Sequence, residues 1–346
     1  MLTAENAPLR DLNTFRVDAR ARYLLTLETP EDIPAFLADE RFHGLPRLIL
    51  GGGSNLLLRD DFPGVVLHVA FKGVELLGED DAHRFLAVAA GENWHELVRH
   101  TVAQGWAGLE NLSLIPGTVG AAPVQNIGAY GVEFAELCHA VDVVDMSTGE
   151  AGVITAEDCR FAYRDSRFKQ ESGRYLITSV LLKLPKKFTP RLDYPGVREA
   201  LGDAEVTPLA VSDAIGLVRR SKLPGLEADQ PGSAGSFFQN PLIDAQQAAI
   251  LLEQHPNMPQ WAANAGRVKL SAAWLIEQCG WKGRRLGDAG VYEKHALVLA
   301  NHGTASGEEI WRLAEEIMHS VQTRFGVGLQ PEPVVLPRAA QSKGFS

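Results

Sequence analysis

The stretch LILGGGSNLLL (residues 48–58) places three consecutive glycines, a serine and an asparagine between two apolar segments. Glycines let consecutive backbone N–H groups point into one concavity, and such a nest holds phosphate without a positively charged side chain. The spacing matches neither a GxGxxG fingerprint nor a Walker A loop. The stretch therefore predicts a phosphate-binding loop, with a tight turn between two strands as the alternative. Its candidate ligand-binding residues are Gly51, Gly52, Gly53, Ser54 and Asn55.

A second glycine-rich stretch, LIPGTVGAAPVQNIGAYG (114–131), is long, uncharged and too apolar for a disordered segment. Two such loops in one chain are typical of backbone that wraps an extended ligand containing a diphosphate, and a dinucleotide is the obvious candidate. The alternative is a long structural loop. The candidate residues of this second loop are Pro116, Gly117, Gly120, Ala121, Ala122, Gln125, Asn126, Gly128 and Gly131.

The composition is that of a globular protein of 346 residues, long enough for two or three domains. The net charge of −10 argues against a general nucleic-acid binder. The three cysteines form no CxxC pair, which fits a reducing compartment and indicates no metal site. Because the N-terminus shows no apolar leader and no stretch resembles a membrane span, we expect a soluble cytoplasmic protein.

Hydrophobic periodicity and helix caps predict an α+β chain. Strands are expected at 22–28, 46–50, 65–71, 84–90, 140–146, 176–184 and 291–301. Helices are expected at 31–38 (capped by Thr29), from Asn93 to Gly105, and at 212–220, 244–254, 271–279 and 307–323. A linker is expected near residues 222–232, which are rich in proline and glycine.

Two further stretches contain charged residues that are candidates for binding a ligand. CRFAYRDSRFK (159–169) contains Arg164 among several cations, and the planar fork of arginine is a natural partner for a carboxylate or a phosphate. The alternative is a solvated basic turn. LQPEP (329–333) holds Glu332 between two prolines that restrict the backbone, although a glutamate in such a place is more often a surface residue.

The stretch GSAGSFFQNP (232–241) presents Ser236 without the partners of a nucleophile. No His or Asp stands nearby in the sequence, and Phe238 occupies the last glycine position of a GxSxG elbow. On this segment alone, a turn serine bonded to backbone is the simpler interpretation.

Six motifs, taken together and in order, closely resemble those of the UDP-N-acetylenolpyruvoylglucosamine reductases, flavoenzymes of cell-wall precursor synthesis. They are GGGSN, GENWHELV, NLSLIPGTVGAAPVQNIGAYG, CRFAYRDSRFK, GSAGSFFQNP and LQPEP, and the resemblance runs from about Asn13 to Glu332. Each motif is weak alone, but six in one order are specific. LDYPGV (192–197) resembles the loop of the family's longer subtype.

The resemblance implies an α+β fold in which a two-lobed FAD-binding region, like that of the vanillyl-alcohol oxidases, precedes an α+β substrate-binding domain. The expected domains are lobe 1 at 1–71, lobe 2 at 72–222 and the substrate domain at 223–326, with 327–346 packing back on lobe 1. The implied cofactor is non-covalent FAD, and NADPH is the implied reductant. The implied partner is the UDP-sugar substrate, with no nucleic acid and no membrane; a monomer is compatible with these expectations.

The resemblance also implies roles for individual residues. NADPH reduces the flavin, and the enolpyruvyl sugar nucleotide then accepts hydride on its terminal methylene carbon. Ser236 matches the donor of the proton to the neighbouring carbon. Arg164 and Glu332 match the groups that hold and polarise the substrate carboxylate. The residues that match contacts to the UDP-sugar are Tyr194, Lys222 and Asn240, with His295 where the longer subtype can have glutamine.

Two departures from the family pattern affect binding. The charge of His295 would make binding sensitive to pH. Ala121 and Ala122 stand where relatives can carry serines, so that cofactor contacts there must come from backbone N–H groups.

Arg219 and Arg220 are candidates for a contact with a 2′-phosphate, although arginines are common at a helix C-terminus.

Two other functions compete with this interpretation. A flavin oxidase with the same two-lobed fold would share the glycine loops but has no use for a proton donor such as Ser236. A non-catalytic nucleotide-sugar binding protein would retain Lys222 and Asn240 without needing Ser236 or Arg164.

Overall fold

The computed structural model describes residues 1–225, 227, 229–263 and 266–336. The strands are β1 (Leu2–Pro8), β2 (Arg20–Leu27), β3 (Arg47–Leu50), β4 (Leu56–Leu58), β5 (Phe62–Val69), β6 (Val74–Glu79), β7 (His83–Ala89), β8 (Gly128–Ala129), β9 (Val132–Glu133), β10 (Cys138–Asp145), β11 (Ala151–Thr155), β12 (Tyr175–Pro185), β13 (Gly232–Ser236), β14 (Leu242–Asp244), β15 (Gln260–Ala262), β16 (Arg267–Leu270), β17 (Arg285–Leu286), β18 (Ala289–Val291), β19 (Val298–Asn301) and β20 (Val334–Leu336).

The helices are α1 (Asp32–Ala38), α2 (Trp94–Ala103), α3 (Arg167–Gln170), α4 (Val197–Leu201), α5 (Pro208–Lys222), α6 (Ala245–Gln254), α7 (Ala272–Gln278) and α8 (Gly307–Phe325). No helix among the described residues has the length and apolar character needed to cross a membrane. The mixture of helices and mostly antiparallel strands confirms the predicted α+β class.

The chain divides into two compact units. The first contains residues 1–7, 21–52 and 63–220, and the second contains residues 8–20, 53–62 and the described residues from Ser221 onward. The three domains expected from the sequence have other boundaries, and they stay a prediction. Of the expected linker, residues 226 and 228 lie outside the described residues, as do residues 337–346 of the expected C-terminal segment.

The first unit is built around a five-stranded antiparallel sheet with the strand order β11-β10-β12-β7-β6. Its central strand, β12, buries Val180, Leu182 and Leu184, because successive side chains of a strand point to opposite faces. Val180 lies opposite Val88 of β7 and Val141 of β10, which are also buried. The face of the sheet that carries Val88, Val141 and Val180 therefore belongs to the core of the first unit.

A second sheet has the strand order β1-β2-β5-β3. Its β3 runs parallel to β5, so that Leu50 at the end of β3 lies opposite His68. Leu50 is buried, and the first glycine loop begins at the next residue. The loop therefore leaves the end of a parallel strand.

The second unit holds a four-stranded sheet with the order β13-β19-β18-β17 and a three-stranded sheet with the order β14-β16-β15. The longest helix, α8, buries one side, which includes Ile310, Leu313 and Ile317. The Ser306 side chain accepts from the Glu309 N–H group, and the Glu309 side chain accepts from the Ser306 N–H group, so α8 begins with a capping box. Strand β20 pairs in parallel with β4, which belongs to the same unit.

Two local predictions were wrong. Helix α1 has no side-chain cap from Thr29; instead the Asp32 carboxylate accepts from the N–H groups of Glu28 and Thr29, at 2.8 and 3.2 Å. The stretch 291–301 is not one strand, because a turn between β18 and β19 contains His295, whose N–H group bonds to the carbonyl of Tyr292. Local apolar content alone does not reveal that turn.

Candidate active site

The candidate residues are distributed over both units. The first unit holds Gly51, Gly52, Pro116, Gly117, Gly120, Ala121, Ala122, Gln125, Asn126, Gly128, Gly131, Arg164 and Tyr194. The second unit holds Gly53, Ser54, Asn55, Lys222, Ser236, Asn240, His295 and Glu332.

The two glycine-rich loops contact each other within the first unit. A Cβ atom placed on Gly52 would lie 2.8 Å from the Cα of Gly117, and one on Gly51 would lie 2.3 Å from the Oγ1 of Thr118. The second loop is also fixed to the end of β7, because the Gly120 N–H group donates to the Ala90 carbonyl at 2.8 Å. Because Gly51 and Gly52 have no side chains, the two loops can approach each other this closely.

The loops have the properties that a dinucleotide diphosphate requires. Among the loop and turn hydrogen bonds of the described residues, none uses the N–H group of Gly52 or Gly53 as donor. Gly53 adopts the left-handed region at φ +58°, where a Cβ would lie 2.0 Å from the carbonyl oxygen of Leu12. Backbone donors next to a left-handed glycine form an anion-binding concavity. These residues fit the diphosphate of FAD.

Arg164 lies in a tight turn of the first unit. The N–H group and carbonyl of Ala162 exchange hydrogen bonds with those of Asp165, at 3.0 and 3.1 Å. The Arg164 Nη2 donates to the carbonyl of Gly128 at 2.8 Å, and Lys169 Nζ donates to the Arg164 carbonyl at 2.8 Å. Lys169 therefore stabilises the turn that carries Arg164, whereas the Arg164 guanidinium contacts the second glycine loop.

Tyr194 belongs to an aromatic cluster in the first unit. Its ring packs edge-to-face on that of Tyr130, with 4.7 Å between the ring centroids. Arg219 forms a side-chain hydrogen bond with Tyr130, and burial lowers the pKa of this arginine. The structure therefore gives Arg219 a protein partner. A contact of Arg219 or Arg220 with a 2′-phosphate stays a prediction.

Ser236 and Glu332 lie on neighbouring segments of the second unit. Ser236 ends β13 and pairs with Val298 of β19. The carbonyl of the next residue, Phe237, accepts from the Glu332 N–H group at 2.8 Å. Phe237 and Phe238 are both buried, so their rings anchor the segment that carries the serine. A second backbone bond, from the Gln239 N–H group to the Gln330 carbonyl at 3.0 Å, also joins the segment that carries Ser236 to the segment that carries Glu332.

Lys222 and His295 also belong to the second unit, with Lys222 at the end of α5. The His295 Nδ1 accepts from the Leu297 N–H group at 3.2 Å, which leaves the ring proton on Nε2. Burial, followed by the charge of Lys222, lowers the pKa of His295. The imidazole is therefore a neutral donor at neutral pH.

The two candidate asparagines of the second unit each hold a neighbouring segment. The Asn240 Oδ1 accepts from the N–H group of Ala272 at the start of α7, at 3.0 Å. The Asn55 Nδ2 donates to the Glu332 carbonyl at 3.3 Å, and the Asn55 carbonyl accepts from the Val334 N–H group at 3.0 Å. Asn55 therefore connects the first glycine loop to the segment that carries Glu332.

Tyr130 and Glu133 also contact candidate residues, and neither was predicted from the sequence. Tyr130 has a left-handed backbone at φ 51° although it is not a glycine, and it contacts both Tyr194 and Arg219. An aromatic residue inside the glycine-rich GAYG was the available signal. Glu133 accepts from the Asn126 side chain at 2.8 Å, and no pattern in the sequence indicates that contact.

Comparison with known proteins gives two domain matches. Residues 21–154 match the model of an FAD binding domain, and this range includes both glycine-rich loops. Residues 227–336 match the model of the UDP-N-acetylenolpyruvoylglucosamine reductase C-terminal domain, and this range includes Ser236 and Glu332.

The chain is also similar to whole proteins over nearly its full length. It is 50% identical to the UDP-N-acetylenolpyruvoylglucosamine reductase of Chromobacterium violaceum, over 95% of this chain and 97% of the relative. It is 50% identical to the reductase of an Azoarcus species, over 95% and 96% of the two chains. The crystal structure of the reductase from Thermus caldophilus matches with a TM-score of 0.67 at 27% identity, over 97% and 98% of the two chains. With half of its residues identical along almost all of its length, this chain belongs to the UDP-N-acetylenolpyruvoylglucosamine reductase family.

Proposed function

We propose that this protein uses NADPH to reduce the enolpyruvyl group of UDP-N-acetylglucosamine enolpyruvate to the lactyl ether, giving UDP-N-acetylmuramate. The observation that carries the proposal is the placement of Ser236 and Glu332 on two segments joined by the hydrogen bond between Glu332 and Phe237. A flavin oxidase and a nucleotide-sugar binding protein have no need for a hydroxyl and a carboxylate in this arrangement.

FAD is the proposed cofactor, bound without a covalent bond, and when bound it supplies hydride to the methylene carbon of the substrate. The backbone N–H groups of the two glycine loops hold its diphosphate. This role fits the donors of Gly52 and Gly53, which no loop or turn hydrogen bond among the described residues uses.

Ser236 donates the proton in the proposed reaction. Addition of hydride to the methylene carbon leaves an electron pair on the neighbouring carbon, and the carboxylate delocalises that pair as an enolate. The hydroxyl proton of Ser236 moves to this carbon, and the resulting alkoxide recovers a proton from water. A hydroxyl is a weak acid, and it serves here because an enolate carbon is strongly basic.

Arg164 and Glu332 are the proposed contacts to the substrate carboxylate, and Glu332 donates to it through the O–H group of its protonated form. The planar guanidinium of arginine makes two parallel hydrogen bonds to a carboxylate, so it stabilises the charge that develops on the enolate. Tyr194, Lys222, Asn240 and His295 are the proposed contacts to the UDP-sugar. The charge of Lys222 suits the diphosphate, and neutral His295 donates through Nε2.

Replacing Ser236 by alanine tests the proposal by separating the two half-reactions. NADPH should still reduce the flavin at a near-normal rate, because that step forms no enolate. Reoxidation by the enolpyruvyl substrate should slow by about 10²- to 10⁴-fold, the usual contribution of a general acid. Stopped-flow absorbance of the flavin measures both rates.

A second variant, Ser236→Cys, serves as the matched comparison. A thiol is a stronger acid than a hydroxyl, so part of the lost rate should return. Reoxidation of Ser236→Ala at the wild-type rate would show that Ser236 is a turn residue and would refute its role as proton donor.

A further inference from the structure

The backbone of the turn that carries Arg164 is held in an unfavourable conformation. Arg164 has φ 54°, in the left-handed region that residues with a Cβ rarely occupy. Such a conformation persists where the surroundings enforce it. The contacts of the Ala162–Asp165 turn therefore decide where the guanidinium points.

One of these contacts comes from Asn126 in the second glycine loop. Its Nδ2 donates to the carbonyl of Ala162 at 3.1 Å and to the Oε2 of Glu133 at 2.8 Å. Its Oδ1 accepts from the N–H group of Ala135 at 2.9 Å. Asn126 is 1% exposed, and both of its side-chain N–H groups are directed to protein acceptors. Its amide thus connects the glycine loop to the arginine turn.

The same loop also contacts the guanidinium itself. The Gly128 carbonyl accepts from Arg164 Nη2 at 2.8 Å, and a Cβ on Gly128 would lie 3.2 Å from Nη1. The second glycine loop therefore contacts Arg164 in two ways. Asn126 bonds to the backbone of the turn that carries Arg164, and the Gly128 carbonyl accepts from its guanidinium.

We propose that Asn126 is a positioning residue for Arg164. Its amide fixes the Ala162–Asp165 turn against the cofactor loop and so aims the guanidinium at the substrate carboxylate. This inference rests on the proposed function, in which Arg164 binds that carboxylate. A supporting residue of this kind matters because a misplacement of roughly 1 Å at a reacting group can cost about 100-fold in rate.

The test uses two substitutions that keep the left-handed backbone of Asn126, which has φ 44°. Asn126→Asp keeps the size of the side chain but replaces both donors with acceptors, facing the Ala162 carbonyl and the Glu133 carboxylate. Asn126→Gly removes the side chain and tolerates the same φ. The matched control is Asn6→Asp, since Asn6 is an exposed asparagine with φ 48° in β1.

We expect both Asn126 variants to retain FAD and to be reduced by NADPH at a rate within about twofold of wild type. Reoxidation by the enolpyruvyl substrate should slow by about tenfold to 100-fold. In combination with Arg164→Lys, the Asn126 substitutions should add little further loss, because residues that act through one contact are not additive. Asn6→Asp should match wild type in every measurement.

Three outcomes would overturn the proposal. Loss of FAD, or equal slowing of both half-reactions, would make Asn126 a cofactor ligand. If the losses of reoxidation rate caused by the Asn126 substitutions and by Arg164→Lys are fully additive, Asn126 does not act through Arg164. Failure of both variants to fold would make it a structural residue of the loop. If Arg164→Lys itself leaves reoxidation unchanged, the proposed role of Arg164 fails instead, and the two failures are thus distinguished.

Discussion

At the scale of single residues, His295 makes the stability of the fold depend on pH, because burial lowers its pKa. Because burial lowers its pKa in the folded chain, the unfolded chain takes up a proton first as pH falls. The stability that neutral His295 contributes is complete above the usual imidazole pKa of about 6.5 and is lost as pH falls from there through the folded value. We expect His295→Gln to remove this loss, which is limited to about 1.4 kcal/mol per pH unit for one proton.

Urea unfolding at neutral and mildly acidic pH measures the effect of His295→Gln. The variant should lose less stability than wild type as pH falls. His319→Gln, at an exposed position of α8, is the control for the exchange of a histidine for glutamine. A pH dependence of His295→Gln equal to that of wild type would contradict the effect of burial on this imidazole.

At the scale of elements, the contact between the two glycine loops depends on Gly52. A methyl group there would lie 2.8 Å from the Cα of Gly117, and a backbone atom cannot move aside cheaply. We expect Gly52→Ala to cost about 1–3 kcal/mol, the usual cost of overpacking, and to lower the FAD content of the purified protein. Gly152→Ala is the control, because a Cβ on Gly152 meets nothing within 4 Å. Equal stability and FAD content in the two variants would contradict the loop contact.

At the scale of the whole molecule, the match of residues 21–154 to an FAD binding domain predicts that cofactor and fold stabilise each other. Acid precipitation should release the flavin into the supernatant if it is held by backbone donors without a covalent bond. Adding FAD to the stripped protein should raise its stability by about 2.7 kcal/mol at 100 times the dissociation constant. Differential scanning fluorimetry measures the shift, and flavin that stays with the precipitate would favour a covalent oxidase.

The sequence determined the fold class and most of the elements because their signals are local. The apolar run at 176–184 identified β12, and the capping residues Asn93 and Ser306 identified the starts of α2 and α8. The order of the motifs also determined the family, since six short patterns over nearly the whole chain are specific together. Predictions failed where a backbone contact competes with the pattern, as in the turn at His295.

The tertiary structure alone decided how these motifs are connected. Neither the contact of Gly52 with Gly117 nor the bonds from Asn126 to Ala162 and Glu133 follow from spacing, because each joins segments whose approach depends on the packing between them. The pKa of His295 is likewise a tertiary property, since it depends on burial and on the charge of Lys222, which is distant in the sequence. The order of residues determines which chemical groups are present, whereas the folded surroundings that desolvate and orient each group determine its position and its charge.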